Sequence, residues 1–425
     1  MENKFIFVCL TPYQVFIAYS YITQLKKESN DITSVLVFVK GDNSFEINTN
    51  ISKSHFDDVY TVPELFSNSV KRYWKRLFYG GRLFKLSKLS NLIGENTTLL
   101  IFNDTEPITW KLMKETKRES PSNKIVLLEE GVGLYNFTSN KKENKIASMK
   151  SILTRLTGNE IKFQPVGLSE DIDTIIAREP DQIPQIKKKN KEILKQSIGG
   201  LFEQPSAQQF IDAFFKGENS SFYEVKHEMK NVLFIDQPIS EYIDNINSYE
   251  QEVKFMAEIF DNISKDTNII IKPHPRDDIR KYDLLTKQFS NITVITRELA
   301  LAPIECVLAA FRNSTIITYN SSAGINAKYI VPEIRVCFTY SIFYDFIGET
   351  KDREVIKNIE MVHQLKGENC IVASNLTEVS DYITYGLMER NNREVSKKLT
   401  EFDGEDIIYF RNLRNHQKTQ VGYSS

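Results

Sequence analysis

The stretch KIVLLEEGVGLY, residues 124–135, decides how the rest of the chain is read. Lys124–Leu128 is a short apolar run of strand-forming character, and it stops at two carboxylates, Glu129 and Glu130, followed by Gly131 and Gly133. Working outward, runs of the same kind recur at Phe5–Leu10, Val35–Val39, Val59–Val62 and Thr98–Phe102, separated by longer stretches of helical spacing. Parallel neighbours need a crossover of a dozen or more residues, so this rhythm predicts parallel βαβ units. Five such runs predict a doubly wound α/β sheet.

The second half repeats the alternation at Val232–Ile235, Ile269–Ile271, Ile292–Ile295, Thr315–Thr318, Arg335–Phe338 and Ile371–Val372. Val253, Met256, Ile259, Phe260 and Ile263 recur at helical spacing, as a crossover helix over a sheet requires. Between the halves the pattern weakens. The stretch from Arg178 to Ser206, rich in Lys, Gln and Pro, predicts a linker there or slightly later, with Lys187, Lys188 and Lys189 as solvated surface. The expected organisation is a first Rossmann-like domain over 1–215, a second over 216–385, and a helical tail over 386–425. Ligands of such sheets bind outside the C-terminal ends of the strands, so the loops there are the candidate sites.

Composition narrows the function. The 425 residues are 41% hydrophobic and 26% charged, an ordinary globular mix that excludes wholesale disorder. Lys plus Arg total 54 against 56 Asp plus Glu, so a net charge of -2 gives no bulk attraction to nucleic acid. Cys9, Cys306, Cys337 and Cys370 are scattered, three of them in or beside apolar runs, which predicts core thiols and a reducing compartment. Thr11, Pro12, Tyr13 and Gln14 interrupt the apolar start, against a secretion signal, and no run reaches the ~20 apolar residues of a membrane span. The expected location is the cytoplasm. The five histidines, His55, His227, His274, His363 and His416, lack ligand spacing, so no metal is expected.

Three loops carry chemistry. Glu129 and Glu130 at a strand end place at least one acid in the crevice beside a second carboxylate, suitable for a general base; an acidic surface turn reads the same way. Lys272, Pro273, His274 and Pro275 follow the run Ile269–Ile271, so that flanking prolines hold an imidazole at the sheet edge, to meet a phosphate or only a loop carbonyl. Ser321 and Ser322, before a predicted helix at Ile325–Ile330, form either a phosphate cradle or a simple cap. Asp104, after the run Thr98–Phe102, is a helix cap or an acceptor contact.

Taken in order, Glu129-Glu130-Gly131, His274-Pro275 and Ser321-Ser322 resemble the D/E-D/E-G, HP and S-S/T motifs of the bacterial sialyltransferases. The opening Cys9-Leu10-Thr11-Pro12-Tyr13-Gln14 is similar to the start of glycosyltransferase family 52 and of the bacterial polysialyltransferases. The resemblance implies a GT-B fold, two Rossmann-like domains around a cleft, with CMP-sialic acid as donor, inversion at the anomeric centre and no required metal or cofactor. By the same resemblance Glu130 deprotonates the acceptor hydroxyl, with Glu129 left open as the alternative. His274 stabilises the departing phosphate, and Ser321 and Ser322 hold its oxygens. Lys272 and Pro275 lie near the cytidine, Glu298 near the ribose by placement alone, and Gln14, Asp104, Glu129 and Gly131 are further candidate contacts. The acceptor is expected to be a surface glycan of lipooligosaccharide or capsule type, polysialic acid included.

Residues 71–88 interleave Lys71, Arg72, Lys75, Arg76, Arg82, Lys85 and Lys88 with Tyr73, Trp74, Leu77, Phe78, Leu83, Phe84 and Leu86. Such a segment suits the inner face of an anionic membrane or an acidic glycan, and an ordinary surface helix explains it too. Two other readings remain: a CDP-glycerol-type glycerophosphotransferase, whose HP and Ser-Ser loops are similar, and a non-catalytic glycan-binding protein of the same fold.

Overall fold

The computed structural model describes residues 3–29, 31–40, 55–63, 89–135, 166–195, 210, 230–239, 248–274, 277–278, 280–295, 302–346 and 369–385. The basic segment 71–88, Pro275, Glu298 and the tail 386–425 lie outside them.

The first sheet is built from β1 (Asn3–Cys9), β2 (Ile32–Lys40), β3 (Asp58–Pro63), β4 (Thr97–Ile101), β5 (Lys124–Leu128), β6 (Thr174–Ala177) and β7 (Glu192–Lys195), in the order 3-2-1-4-5-6-7. The second contains β8 (Lys230–Ile235), β9 (Thr267–Lys272), β10 (Ile292–Val294), β11 (Thr315–Thr318), β12 (Arg335–Phe338) and β13 (Cys370–Val372), in the order 10-9-8-11-12-13. Every pairing is parallel. Both sheets reverse their winding at the first strand, between β1 and β4 and between β8 and β11, and these switch points are where a doubly wound sheet opens a crevice.

Among the described residues, seven α-helices serve as crossovers or connectors: α1 (Pro12–Glu28), α2 (Pro107–Glu119), α3 (Gln185–Lys188), α4 (Tyr249–Asp261), α5 (Arg280–Gln288), α6 (Ser322–Ile330) and α7 (Tyr340–Phe346). Thr11 caps α1 through its hydroxyl, with Pro12 in the first turn where no backbone donor is needed. The stripe Val253, Met256, Ile259, Phe260 and Ile263 is buried against the second sheet. Strand alternation sorts the core by face: Val232, Phe234, Ile269 and Ile271 pack under α4, while Leu233, Ile235 and Ile270 join the cluster that also contains the first sheet's Ile6, Leu100 and Leu127. All four cysteines are buried and none is in a disulfide among the described residues.

The stretch 178–206, expected as a linker, contributes α3 and β7 to the first lobe as far as Lys195. As far as Lys195, its polar composition reflects a short edge strand and tight turns on the rim of the sheet, and the part beyond Lys195 lies outside the described residues.

Candidate active site

The carboxylate pair at the end of β5 is divided by its surroundings. Glu129 is buried, and Oε1 accepts from Arg178 Nε at 2.6 Å and from Nη2, while Oε2 accepts from the Arg178 amide at 2.6 Å and from the Tyr135 hydroxyl at 2.5 Å. Its oxygens are saturated by a buried ion pair. Both glutamates line a cavity of about 250 Å³ together with Phe102, Asn103, Gly131 and Ser322, but Glu130 has other hydrogen-bond partners. Burial pushes its pKa above the usual carboxylate range, and hydrogen bonds from the Gln14 and Thr11 side chains partly offset this, Thr11 Oγ1 donating at 3.1 Å. Gln14 is buried, its Oε1 also accepting from the Leu10 amide at 2.6 Å.

A buried knot holds this loop from below. Lys187 is fully buried and donates to the carbonyls of Gly133 at 3.1 Å and Leu134 at 2.7 Å, a correction to its expected place on the solvated surface. Burial lowers its pKa to about 8, with Asp104 acting in the opposite direction. Asp104 is buried as well, its two oxygens accepting from the amides of Gly167 and Ser169 at 2.9 Å each. It is thus a tie between loops, where the sequence suggested a helix cap or an acceptor contact. The cap of α2 is Glu106, whose Oε2 accepts from the Thr109 amide at 2.7 Å. Gly167 has φ +88°, and a Cβ there would stand 3.0 Å from Leu134. Gly131 and Gly133 are not among the positive-φ residues; a Cβ on Gly131 would lie 3.7 Å from Ser322 Cβ, so the bare backbone marks a close approach of the two lobes.

In the second lobe, Lys272 ends β9 and is buried, its Nζ within 3.4 Å of the Pro273 carbonyl. Burial depresses its pKa to about 8 against the opposing pull of Glu305 and Asp277. His274 follows, half-buried, and its amide donates to Asp277 Oδ2 at 2.6 Å. Behind this loop Lys281 Nζ meets Asp236 at 2.7 Å, Asp277 at 2.8 Å and Glu252 at 2.9 Å, and the Tyr282 hydroxyl donates to Asp236 at 2.8 Å and Asp277 at 2.6 Å. Asp277 is pushed up to about 6, chiefly by burial and then by Asp236. Ser321 caps α6, its hydroxyl accepting from the Ala323 amide at 3.3 Å, and Ser322 opens the helix and faces the cavity.

The structure therefore joins Glu129, Glu130, Gly131 and Ser322 around one cavity, with Gln14 behind Glu130; His274 and Lys272 do not line it. Sequence reading missed Arg178, Glu305 and Asn326. Asn326 Nδ2 donates to Glu305 Oε1 at 2.9 Å, and its Oδ1 accepts from Arg178 Nη1. The one signal for Asn326 was its position four residues after Ser322, on the same helix face. Among the described residues no group of three or more His, Cys, Asp or Glu side chains is disposed to hold a metal ion, and no helix is long and apolar enough to cross a membrane.

Two doubly wound parallel sheets with motif loops at their strand ends define a GT-B fold. The sialyltransferase from Photobacterium damselae, in its GT-B domain, is similar in fold at TM-score 0.52 and 12% identity, over 87% of this chain and 99% of that one. A provisionally assigned UDP-N-acetylglucosamine 2-epimerase from Listeria monocytogenes is similar at TM-score 0.50 and 13% identity, over 91% of this chain and 88% of that one, so fold alone does not choose the reaction. The family does: the model of the alpha-2,8-polysialyltransferases (POLYST) matches residues 5–339, and the chain belongs to that family. It is a sialyl-transferring glycosyltransferase, working between a nucleotide-sugar donor and a glycan acceptor. No curated protein matches the sequence.

Proposed function

We propose that the chain is an inverting, metal-independent sialyltransferase that moves sialic acid from CMP-sialic acid to a hydroxyl of a surface glycan, of capsule or lipooligosaccharide type. The family's name favours an α-2,8 linkage to an acceptor that already ends in sialic acid. One observation carries the reading: of the two glutamates that line the cavity with Ser322, Glu129 is engaged by Arg178, while Glu130 is held by Thr11 and Gln14 with a raised pKa.

In the proposed reaction the acceptor oxygen attacks the anomeric carbon as its proton passes to Glu130. The bond from that carbon to the phosphate oxygen breaks, and its electron pair leaves with CMP. Departure from a tertiary anomeric carbon builds oxocarbenium character, so phosphate charge must be met on the leaving side. His274, Ser321 and Ser322 take that role, with Lys272 and Pro275 near the nucleotide and Glu298 near the ribose. Gln14 holds Glu130 through a hydrogen bond.

The test incubates the protein with CMP-sialic acid and either a sialylated or a galactose-terminated oligosaccharide, with and without EDTA, and follows CMP release and the linkage formed. The expected result is α-2,8 transfer to the sialylated acceptor, unchanged by EDTA. CMP release only from CDP-glycerol would favour the glycerophosphotransferase reading, and CMP binding without transfer to any acceptor would favour a non-catalytic glycan-binding role.

A further inference from the structure

The helix that begins at the Ser-Ser motif is also the element by which the second lobe is held against the first. Ser322, Asn326 and Tyr329 stand at i, i+4 and i+7, on one face of α6. Ser322 lies beside Gly131, Asn326 accepts from Arg178, and the Tyr329 hydroxyl donates to Glu179. Lys328 Nζ reaches the same Glu179 carboxylate at 3.4 Å, and the Arg178 guanidinium lies 5.3 Å from the centre of the Tyr329 ring. The adjacent residues Arg178 and Glu179, on the loop after β6, thus grip the helix from the first lobe.

The amide of Asn326 is oriented by this grip. Its oxygen is used by Arg178 of the first lobe, and its nitrogen donates to Glu305 of its own lobe at 2.9 Å and to the Tyr13 hydroxyl at 3.4 Å. Arg178 and Asn326 are both buried, so neither has water as an alternative partner. The same guanidinium carries the fork to Glu129, next to Glu130, and Glu305 faces Lys272 at the start of the His-Pro loop. One polar chain therefore touches the acid loop, the Ser-Ser helix and the lysine that precedes His274.

We propose that Arg178 and Asn326 are positioning residues that set α6, and with it Ser321 and Ser322, in register with Glu130 across the lobe boundary. This rests on the reading of the cavity as the sialyl-transfer site. Neither residue has to touch substrate. A misplacement of about 1 Å between reacting groups costs on the order of 100-fold in rate, and that is the loss the contact prevents.

The experiment is a double-mutant cycle in the full chain: Arg178→Lys, Asn326→Leu and the two together, read by kcat for transfer from CMP-sialic acid and by CMP affinity from calorimetry. Arg178→Lys keeps the positive charge beside Glu129 but cannot span to Asn326 as the fork does. Each single change is expected to lower kcat ~100-fold with CMP affinity within threefold, and the pair to fall no further than the worse single, because both break one contact. Singles within threefold of the parent, multiplicative losses in the pair, or a loss confined to CMP affinity would each overturn the proposal. Asn326→Ala, which removes the same acceptor oxygen, replaces Asn326→Leu if that variant does not fold. Were the parent chain itself inactive on CMP-sialic acid, the functional reading would fail first. The lobe contact would then be judged by melting temperature in the same cycle, where additive shifts count against it.

Discussion

Two neighbouring glutamates illustrate how environment divides identical side chains. Glu129 is held by a buried guanidinium, a tyrosine hydroxyl and a backbone amide, whereas Glu130 is held by the Thr11 and Gln14 side chains. Glu130→Gln should therefore leave the melting temperature nearly unchanged and lower sialyl transfer at least ~100-fold, the usual worth of a positioned base. Glu129→Gln should do the reverse first: leaving Arg178 half-paired in the interior costs about 3–5 kcal/mol of stability. Thermal melts and steady-state rates on both variants check the assignment, and equal melting with a larger rate loss for Glu129→Gln would exchange the two roles. The pH profile follows from the same residue and from Lys272. A base works only when ionised, and burial raises the pKa of Glu130, so activity should begin to fall at higher pH than for an ordinary carboxylate as the medium is acidified. Lys272, depressed to about 8, loses its positive charge as pH rises through that value, giving an alkaline limb there. Lys272→Met should be less active throughout and should lack that limb; a limb that persists in the variant assigns it to another group.

At the level of elements, the His-Pro loop hangs from a cluster that joins three parts of the second lobe. Asp236 comes from the end of β8, Glu252 from α4, and Lys281 and Tyr282 from α5, and all converge with Asp277, which caps the His274 amide. Three buried carboxylates around one lysine are tolerable only while the lysine stays charged, and these carboxylates hold the Lys281 pKa well above its usual value in spite of burial. The raised pKa of Asp277 means that its folded form takes up a proton more readily than its unfolded form. Its contribution is therefore fully present below about 3.8 and lost as pH rises through about 6. Lys281→Met removes the offsetting charge, so the variant should melt well below the parent at pH 7.5 and regain much of the deficit at pH 5.5, where protons replace the lysine. A deficit of equal size at both pH values would mean that the loss is one of packing. None of this was legible locally, because the partners of Asp277 lie as far along the chain as Asp236. Lys187 misled for the same reason, since a run of three lysines says nothing of two carbonyls more than fifty residues away that need a donor.

At the scale of the molecule, the alternation of short apolar runs with helical stretches was enough to place eleven of the thirteen strands among the described residues, because parallel strands are buried on both faces and announce themselves by composition. The two it missed, β6 and β7, are four residues each, and β7 lies at the sheet edge, where Glu192 and Lys195 blur the apolar signal. That gap also hid Arg178, which follows β6 directly, and with it the contact between lobes. Motifs at strand ends were legible because turn chemistry is local; the network that aligns them was not, since it is made by side chains that meet only when both sheets have formed. The apolar interior shows how tightly the sheets are joined. A single buried cluster runs from Ile6, Leu100 and Leu127 of the first sheet to Leu233, Ile316 and Phe338 of the second. Parting the lobes would expose that shared surface, at roughly 25 cal/mol for each Å² of apolar area, as well as the Arg178–Asn326 contact. The two lobes should accordingly unfold together. Scanning calorimetry of the full chain is expected to give one transition whose van't Hoff and calorimetric enthalpies agree, as a two-state unit requires. Two resolved transitions, each with the enthalpy of about half the chain, would show instead that the lobes are stable apart and that the shared cluster contributes little to holding them.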